Sequence, residues 1–121
     1  MPRQFPELTH VQFEYAVKFI CGVASAKNPV AAPGQYFTAI NVHNPSFTRP
    51  VRFLWKIAVA LPGVRGGPIS IFFDAVLKPD QALEIDSPDI VKRSPVRAPF
   101  LKGFVVLVAP PGAGCSSRLY G

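Results

Sequence analysis

Apolar and polar side chains alternate along much of this chain, and the alternation is clearest in residues 51–61. Every odd-numbered residue of this segment is apolar, whereas the even-numbered ones include Arg52 and Lys56 and finish with two alanines. A side-chain period of two indicates a β-strand, because successive residues of a strand point to opposite faces of the sheet. Since the last half of the segment is apolar on both faces, we expect it to be central in a sheet and covered on both sides.

Five further segments follow the strand pattern, and turns that contain proline or glycine separate them. They are residues 11–21, 35–43, 69–77, 82–86 and 98–109. The sequence Ser-Pro-Asp is typical of a helix start, with Ser87 as the N-cap and Pro88 in the first helical position. Because Pro95 disfavours a helical conformation in the residue before it, the sequence predicts one short helical turn near residues 88–93.

Short strands joined by Pro/Gly turns predict an all-β fold. We expect an antiparallel two-layer β-sandwich of immunoglobulin-like type with about six to seven strands, a comparison that the single tryptophan on the third strand fits. A chain of 121 residues is long enough for one core. The expected organisation is an irregular lead-in over residues 1–10, one domain over residues 11–109, and a flexible or partner-pairing tail over residues 110–121.

The charge is strongly positive, with 13 Lys and Arg against 7 Asp and Glu and a net charge of +6. Such a balance favours acidic partners, for example nucleic acid or glycans. The basic residues are scattered, however, so the solubility of an apolar sandwich explains them better than a dedicated polyanion site. No window is long enough for a membrane helix, and the first residues lack the apolar core of a signal peptide. These features predict a cytoplasmic protein, unless an export signal was removed.

The sequence contains serine, histidine and aspartate but no Gly-x-Ser-x-Gly nucleophile elbow. No motif supports a triad that would combine His43 and Asp74 with a serine, and hydrogen bonding to the adjacent turn explains His43 better. His10, Cys21 and Cys115 also lack the ligand spacing of a zinc site. The position of Cys21 within a strand pattern favours a buried free thiol. We therefore expect no enzymatic activity, no metal and no cofactor.

Four segments resemble a family of small uncharacterised bacterial proteins. They are YAVKFICG (15–22), GQYFTAINVHNP (34–45), LKPDQALEID (77–86) and FLKGFVVL (100–107). The family carries Tyr-x-Val-Lys-Phe-x-Cys-Gly and Thr-x-Ile-Asn-x-His-Asn-Pro strand motifs, and the resemblance implies no reaction. Its members often have a second cysteine at the position of Ser87, which could pair with the one at Cys21. They also usually continue into another apolar strand, which the tail PPGAGCSSRLYG lacks.

Two functions remain open at this point. The first is a non-catalytic sandwich that acts through its surfaces, as a self-associating structural, assembly or adhesion subunit that pairs main chain across an open sheet edge. The residues predicted for this edge are Phe104, Val105, Val106, Leu107, Val108, Leu119 and Tyr120. The second function is a binding module for an anionic ligand or polymer. The residues predicted to bind the anion are Lys18, Arg52, Lys56 and Lys102. On a strand, Arg52 and Lys56 would point away from the core-facing Phe53 and Trp55.

Overall fold

The computed structural model describes residues 13–109, and eight strands and one helix lie within this range. In chain order they are β1 (Phe13–Ala24), β2 (Gly34–Tyr36), β3 (Ala39–His43), β4 (Val51–Leu61), β5 (Arg65–Ile69), β6 (Phe73–Leu77), β7 (Ala82–Asp86), α1 (Ser87–Arg93) and β8 (Phe100–Ala109). The lead-in predicted for residues 1–10 and the tail predicted for residues 110–121 lie outside the described residues. The helix of the described part, with seven residues, falls short of what a membrane crossing would require.

The strands form two antiparallel sheets. The larger sheet has six strands in the order β2-β1-β8-β4-β5, and β6 also pairs with β4. Because β8 occupies one edge of β4, β5 and β6 share its other edge, β5 beside the C-terminal part and β6 beside the N-terminal part. The smaller sheet consists of β3 and β7. The two sheets pack on each other around one core, which confirms the predicted antiparallel two-layer sandwich.

The core side of the large sheet is formed by the odd-numbered residues of β1, β4 and β8, as the alternation predicts. In one cross-strand row, Val17, Val105 and Ile57 lie side by side, and the last two are completely buried. Ile85 of the small sheet and Ile90 of the helix pack against this layer and are also buried. The large sheet is therefore built on three long strands, with β8 in the middle.

One predicted strand, over residues 35–43, is two strands that belong to different sheets, β2 and β3. The chain leaves the large sheet at Thr38, which makes side-chain and main-chain bonds where a continuous strand would pair. The Thr38 hydroxyl donates to the carbonyl of Ile20 (2.7 Å) and accepts from its amide (3.0 Å). The Thr38 amide donates to the hydroxyl of Ser87 at 2.7 Å. These contacts mark the crossover from one layer to the other.

The helix is confirmed, but its first turn differs from the prediction. The N-cap is Asp86 rather than Ser87. The carboxylate of Asp86 accepts from the amide of Asp89 at 3.2 Å, and the carboxylate of Asp89 accepts from the amide of Asp86 at 3.1 Å, a capping box. Ser87 is the first helical residue, and its buried hydroxyl bonds to Thr38 instead.

The prediction that residues 104–108 form a sheet edge that pairs with another chain is wrong. These residues belong to β8, which pairs with β1 on one side and with β4 on the other. Both rows of backbone groups are therefore occupied within the sheet, and no edge is available. The apolar character of both faces reflects this central position. Leu119 and Tyr120, predicted for the same contact, lie outside the described residues.

Candidate functional site

The four basic residues predicted to bind anions all lie on the solvent-facing side of the large sheet, here called the outer face. Lys18 is in β1, Lys102 is in β8, and Arg52 and Lys56 are in β4, all at even-numbered positions. Their odd-numbered neighbours point to the core; Phe53, for example, is buried. The period of two thus places the four side chains together on one face of the large sheet.

Arg52 is already occupied by a carboxylate. Its guanidinium donates to the two carboxylate oxygens of Asp74, on β6, at 2.9 and 2.8 Å. This hydrogen bonding lowers the pKa of Asp74 and raises the pKa of Arg52 from their ordinary values. Because the pair is bidentate, Arg52 is less available to an anionic ligand than the three lysines.

Phe104 stands among the remaining three lysines. It lies directly opposite Lys18 of β1 and Ala58 of β4, and its side chain is 44% exposed. Lys102 and Lys56 are each displaced by two residues from this row, a distance of about 7 Å along a strand. Next to them, the ammonium of Lys56 lies 4.9 Å from the ring centroid of the exposed Phe72. We call Lys18, Lys56, Lys102, Phe72 and Phe104 the basic–aromatic patch.

The three lysines are anion-binding candidates from the sequence, but the aromatic residues that lie beside them are not. Phe53 and Trp55, the aromatic residues of β4, are buried on the core side. The sequence predicts Phe104 for a sheet edge, but its even position in β8 places it on the outer face. Its neighbours could not be predicted, because they depend on the strand order and register.

A second feature is the outward edge of β1. Since the amide and the carbonyl of Ile20 both bond to the Thr38 hydroxyl, these two backbone groups are directed away from β8. Alternate residues of a strand bond to the same side, so Glu14, Ala16 and Lys18 also direct their N–H and C=O groups away from β8. Among the described residues, β2 pairs only with residues 22–24 of β1, and no strand lies beside these three residues. We call them the β1 edge.

Within residues 13–109, the two-stranded layer covers only part of the large sheet. A groove of about 260 Å³ opens between the layers beside the β1 edge, with Tyr15 and Leu107 on one side and Val42 and Pro45 on the other. Tyr15 points to the core side of the sheet and is nevertheless 53% exposed. A groove of similar size, about 250 Å³, lies at Val59, Leu61, Phe100 and neighbouring residues. The groove beside Tyr15 makes the core-side face next to the β1 edge apolar and accessible.

The side chains considered for a catalytic triad are engaged elsewhere. Nε2 of His43 lies 2.9 Å from the carboxylate of Asp80, in the turn before β7, and both residues are exposed. Asp74 is paired with Arg52. Within residues 13–109, no three His, Cys, Asp or Glu side chains are grouped in a way that would hold a metal ion.

The fold and these surfaces define an antiparallel two-layer β-sandwich with an exposed basic–aromatic patch and a β1 edge beside which no described strand lies. Comparisons with protein-family models, with curated proteins and with solved structures find no match to this chain.

Proposed function

We propose that this protein is a non-catalytic β-sandwich that acts through its surfaces and associates with copies of itself across the β1 edge. One observation carries the proposal. The main-chain groups of Glu14, Ala16 and Lys18 point away from the sheet, and no described strand pairs with them. A row of unpaired N–H and C=O groups is a template for an added strand.

The surroundings of the β1 edge favour association over exposure to water. On the core side, Tyr15 borders the apolar groove between the layers. On the outer face, Ala16 is small, so a neighbouring strand can approach without displacing a large side chain. Added strands would therefore gain apolar contacts on the core side as well as main-chain hydrogen bonds.

The test compares two substitutions of Ala16 by size-exclusion chromatography with light scattering. Ala16→Pro removes the outward N–H without breaking the ladder to β8, because proline is tolerated at edge positions whose N–H faces solvent. Ala16→Thr is the matched control, since it keeps the N–H and favours a strand. We expect the wild type and Ala16→Thr to self-associate and Ala16→Pro to be monomeric with an unchanged circular dichroism spectrum. A wild-type protein that stays strictly monomeric at high concentration contradicts the proposal.

The basic–aromatic patch supports a second candidate function, binding of an anionic polymer. Lys18, Lys56 and Lys102 share one face with Phe104, and none of the three forms an ion pair with another described residue. Lysines can contact phosphate groups while an exposed ring stacks on bases, which is how many proteins bind single-stranded nucleic acid.

A labelled oligothymidylate tests this candidate by fluorescence anisotropy at several salt concentrations. Three phosphate contacts to single-stranded DNA predict a slope of log affinity against log salt of about −2. Lys56→Glu and Phe104→Ala should weaken binding, whereas Lys27→Glu, the same charge change in an exposed loop, should have a smaller effect. Absence of binding at low salt, or binding that ignores salt, removes this candidate.

A further inference from the structure

The residues along the β1 edge form a symmetrical charge pattern. Glu14 and Lys18 carry opposite charges and lie two positions on either side of Ala16. All three side chains are on the outer face of the sheet, and the N–H and C=O groups of all three residues point away from β8. The row ends at Ile20, whose N–H and C=O are already bonded to Thr38.

A partner that is a second copy of the chain restricts how this edge can pair. A closed dimer requires a two-fold axis, and the contact is then made by the same residues of both copies. Two β1 strands related by such an axis across the sheet edge run antiparallel. The dimer is therefore defined by the residue of β1 that lies on the axis.

Charge and main-chain availability distinguish the registers. With Ala16 on the axis, Glu14 lies opposite Lys18 of the partner subunit, and Lys18 lies opposite the partner's Glu14. An axis at Glu14 or at Lys18 would place like charges directly opposite each other, which is unfavourable. An axis at Val17 would place Glu14 opposite the partner's Ile20, whose backbone groups are occupied. An axis at Tyr15 would leave Glu14 opposite the partner's Ala16, without a charged residue to pair with.

We infer that the protein forms a two-fold symmetric dimer in which β1 pairs antiparallel with β1 of a second copy, with Ala16 opposite the partner's Ala16. This inference rests on the proposed self-association and gives it a register. Each of the opposed pairs exchanges both N–H···O bonds, because these residues direct both backbone groups outward. On the core side, Tyr15 then lies opposite Val17 of the partner subunit, so its exposed ring gains an apolar neighbour. The two large sheets become one continuous sheet.

Charge reversal tests the register through the dissociation constant of the dimer, measured by analytical ultracentrifugation. Glu14→Lys alone and Lys18→Glu alone each turn both attractive pairs into like-charge pairs, and each should weaken the dimer at least about tenfold. The double substitution Glu14→Lys with Lys18→Glu restores opposite charges and should return the dissociation constant to near the wild-type value. Single reversals without effect, or a double reversal as weak as the singles, overturn the register.

Cysteine cross-linking provides an independent readout, in a Cys115→Ser background so that only Cys21, which is buried, remains. Ala16→Cys places two thiols opposite each other on the axis, at a Cα separation of about 5.5 Å that permits a disulfide. Glu14→Cys is the matched control, because the two thiols would lie four residues apart along the paired strands. We expect an oxidised dimer for Ala16→Cys and none for Glu14→Cys. A dimer that cross-links only through Glu14→Cys overturns the register but leaves self-association standing, whereas a wild-type monomer overturns both.

Discussion

The thiol of Cys21 lies 3.2 Å from the hydroxyl of Ser87, and both side chains are buried. Cys21 belongs to β1 of the large sheet, and Ser87 is the first residue of α1, directly after β7 of the small sheet. The same hydroxyl accepts a hydrogen bond from the amide of Thr38, at the point where the chain crosses between the layers. These side chains therefore join the two sheets.

Ser87→Cys should create a disulfide with Cys21. The two residues are 66 positions apart, and closing a loop of that length stabilises the folded state by about 4 kcal/mol in the chain-entropy model. Loss of the hydrogen bond to Thr38 offsets about 1–2 kcal/mol of this gain. Urea unfolding with and without reductant should show an oxidised variant more stable than the wild type and a reduced variant less stable.

The matched control for this experiment is Ser87→Ala, which should be destabilised equally in both conditions. A Ser87→Cys protein that keeps two free thiols at these positions under oxidising conditions would contradict the distance between the side chains.

Because of the ion pair between Arg52 and Asp74, we expect the stability of the fold to depend on pH in the acidic range. Hydrogen bonding from Arg52 lowers the pKa of Asp74 below its ordinary value of 3.8. A lowered pKa means that the pair stabilises the fold at neutral pH and that this contribution is lost as the pH falls through the lowered pKa. An NMR titration of the Asp74 carboxyl carbon should give a midpoint below 3.8, and Arg52→Met should raise it. Arg49→Met, a change outside the pair, should leave the midpoint unchanged, and a wild-type midpoint at or above 3.8 would refute the effect.

Much of the fold follows from the sequence, because side-chain alternation is a local property. Residues 51–61 form β4 with the predicted bounds, and the central position inferred from its second apolar face is observed. The crossover at Thr38 could not be predicted in the same way. The alternation continues through it without interruption, and only the tertiary bonds of Thr38 to Ile20 and Ser87 divide the segment.

The candidate site shows the same division between local and long-range information. Alternation alone puts Lys18, Lys56 and Lys102 on a face opposite the core. The neighbour of each lysine depends on strand order, so neither Phe104 beside Lys18 nor Asp74 beside Arg52 could be inferred. That β1, and not β8, has an edge without a paired strand among the described residues depends on the same long-range pairing.

We expect the loss of the side-chain amide of Asn44 to lower the free energy of unfolding strongly. Its side chain is completely buried after β3, and its Nδ2 lies within hydrogen-bonding distance of the carbonyls of Arg49 (2.8 Å), Lys78 (3.1 Å) and Leu77 (3.3 Å). Asn44→Ala would leave these carbonyls without this donor, and we expect a loss of about 3 kcal/mol in the free energy of unfolding.

Chemical denaturation measures this loss, with Asn41→Ala as the control. Asn41 is an exposed residue of β3, so its substitution should change the free energy of unfolding by less than about 0.5 kcal/mol. Equal effects of the two substitutions would show that the buried amide does not stabilise the turns around it.

Gly103 lies where β8 passes between β1 and β4, directly opposite Phe19 and Val59. Its φ is +159°, and a Cβ added here would lie only 2.1 Å from the backbone oxygen of Ala58. Because that oxygen belongs to β4 of the large sheet, it cannot move aside without disturbing this strand. Gly103→Ala should therefore lower the free energy of unfolding by more than about 4 kcal/mol, or prevent folding, as judged by denaturation and soluble yield. Gly66→Ala is the matched control, since a Cβ there meets no atom within 4 Å. If both variants were as stable as the wild type, β8 would not be as close to β4 as this packing requires.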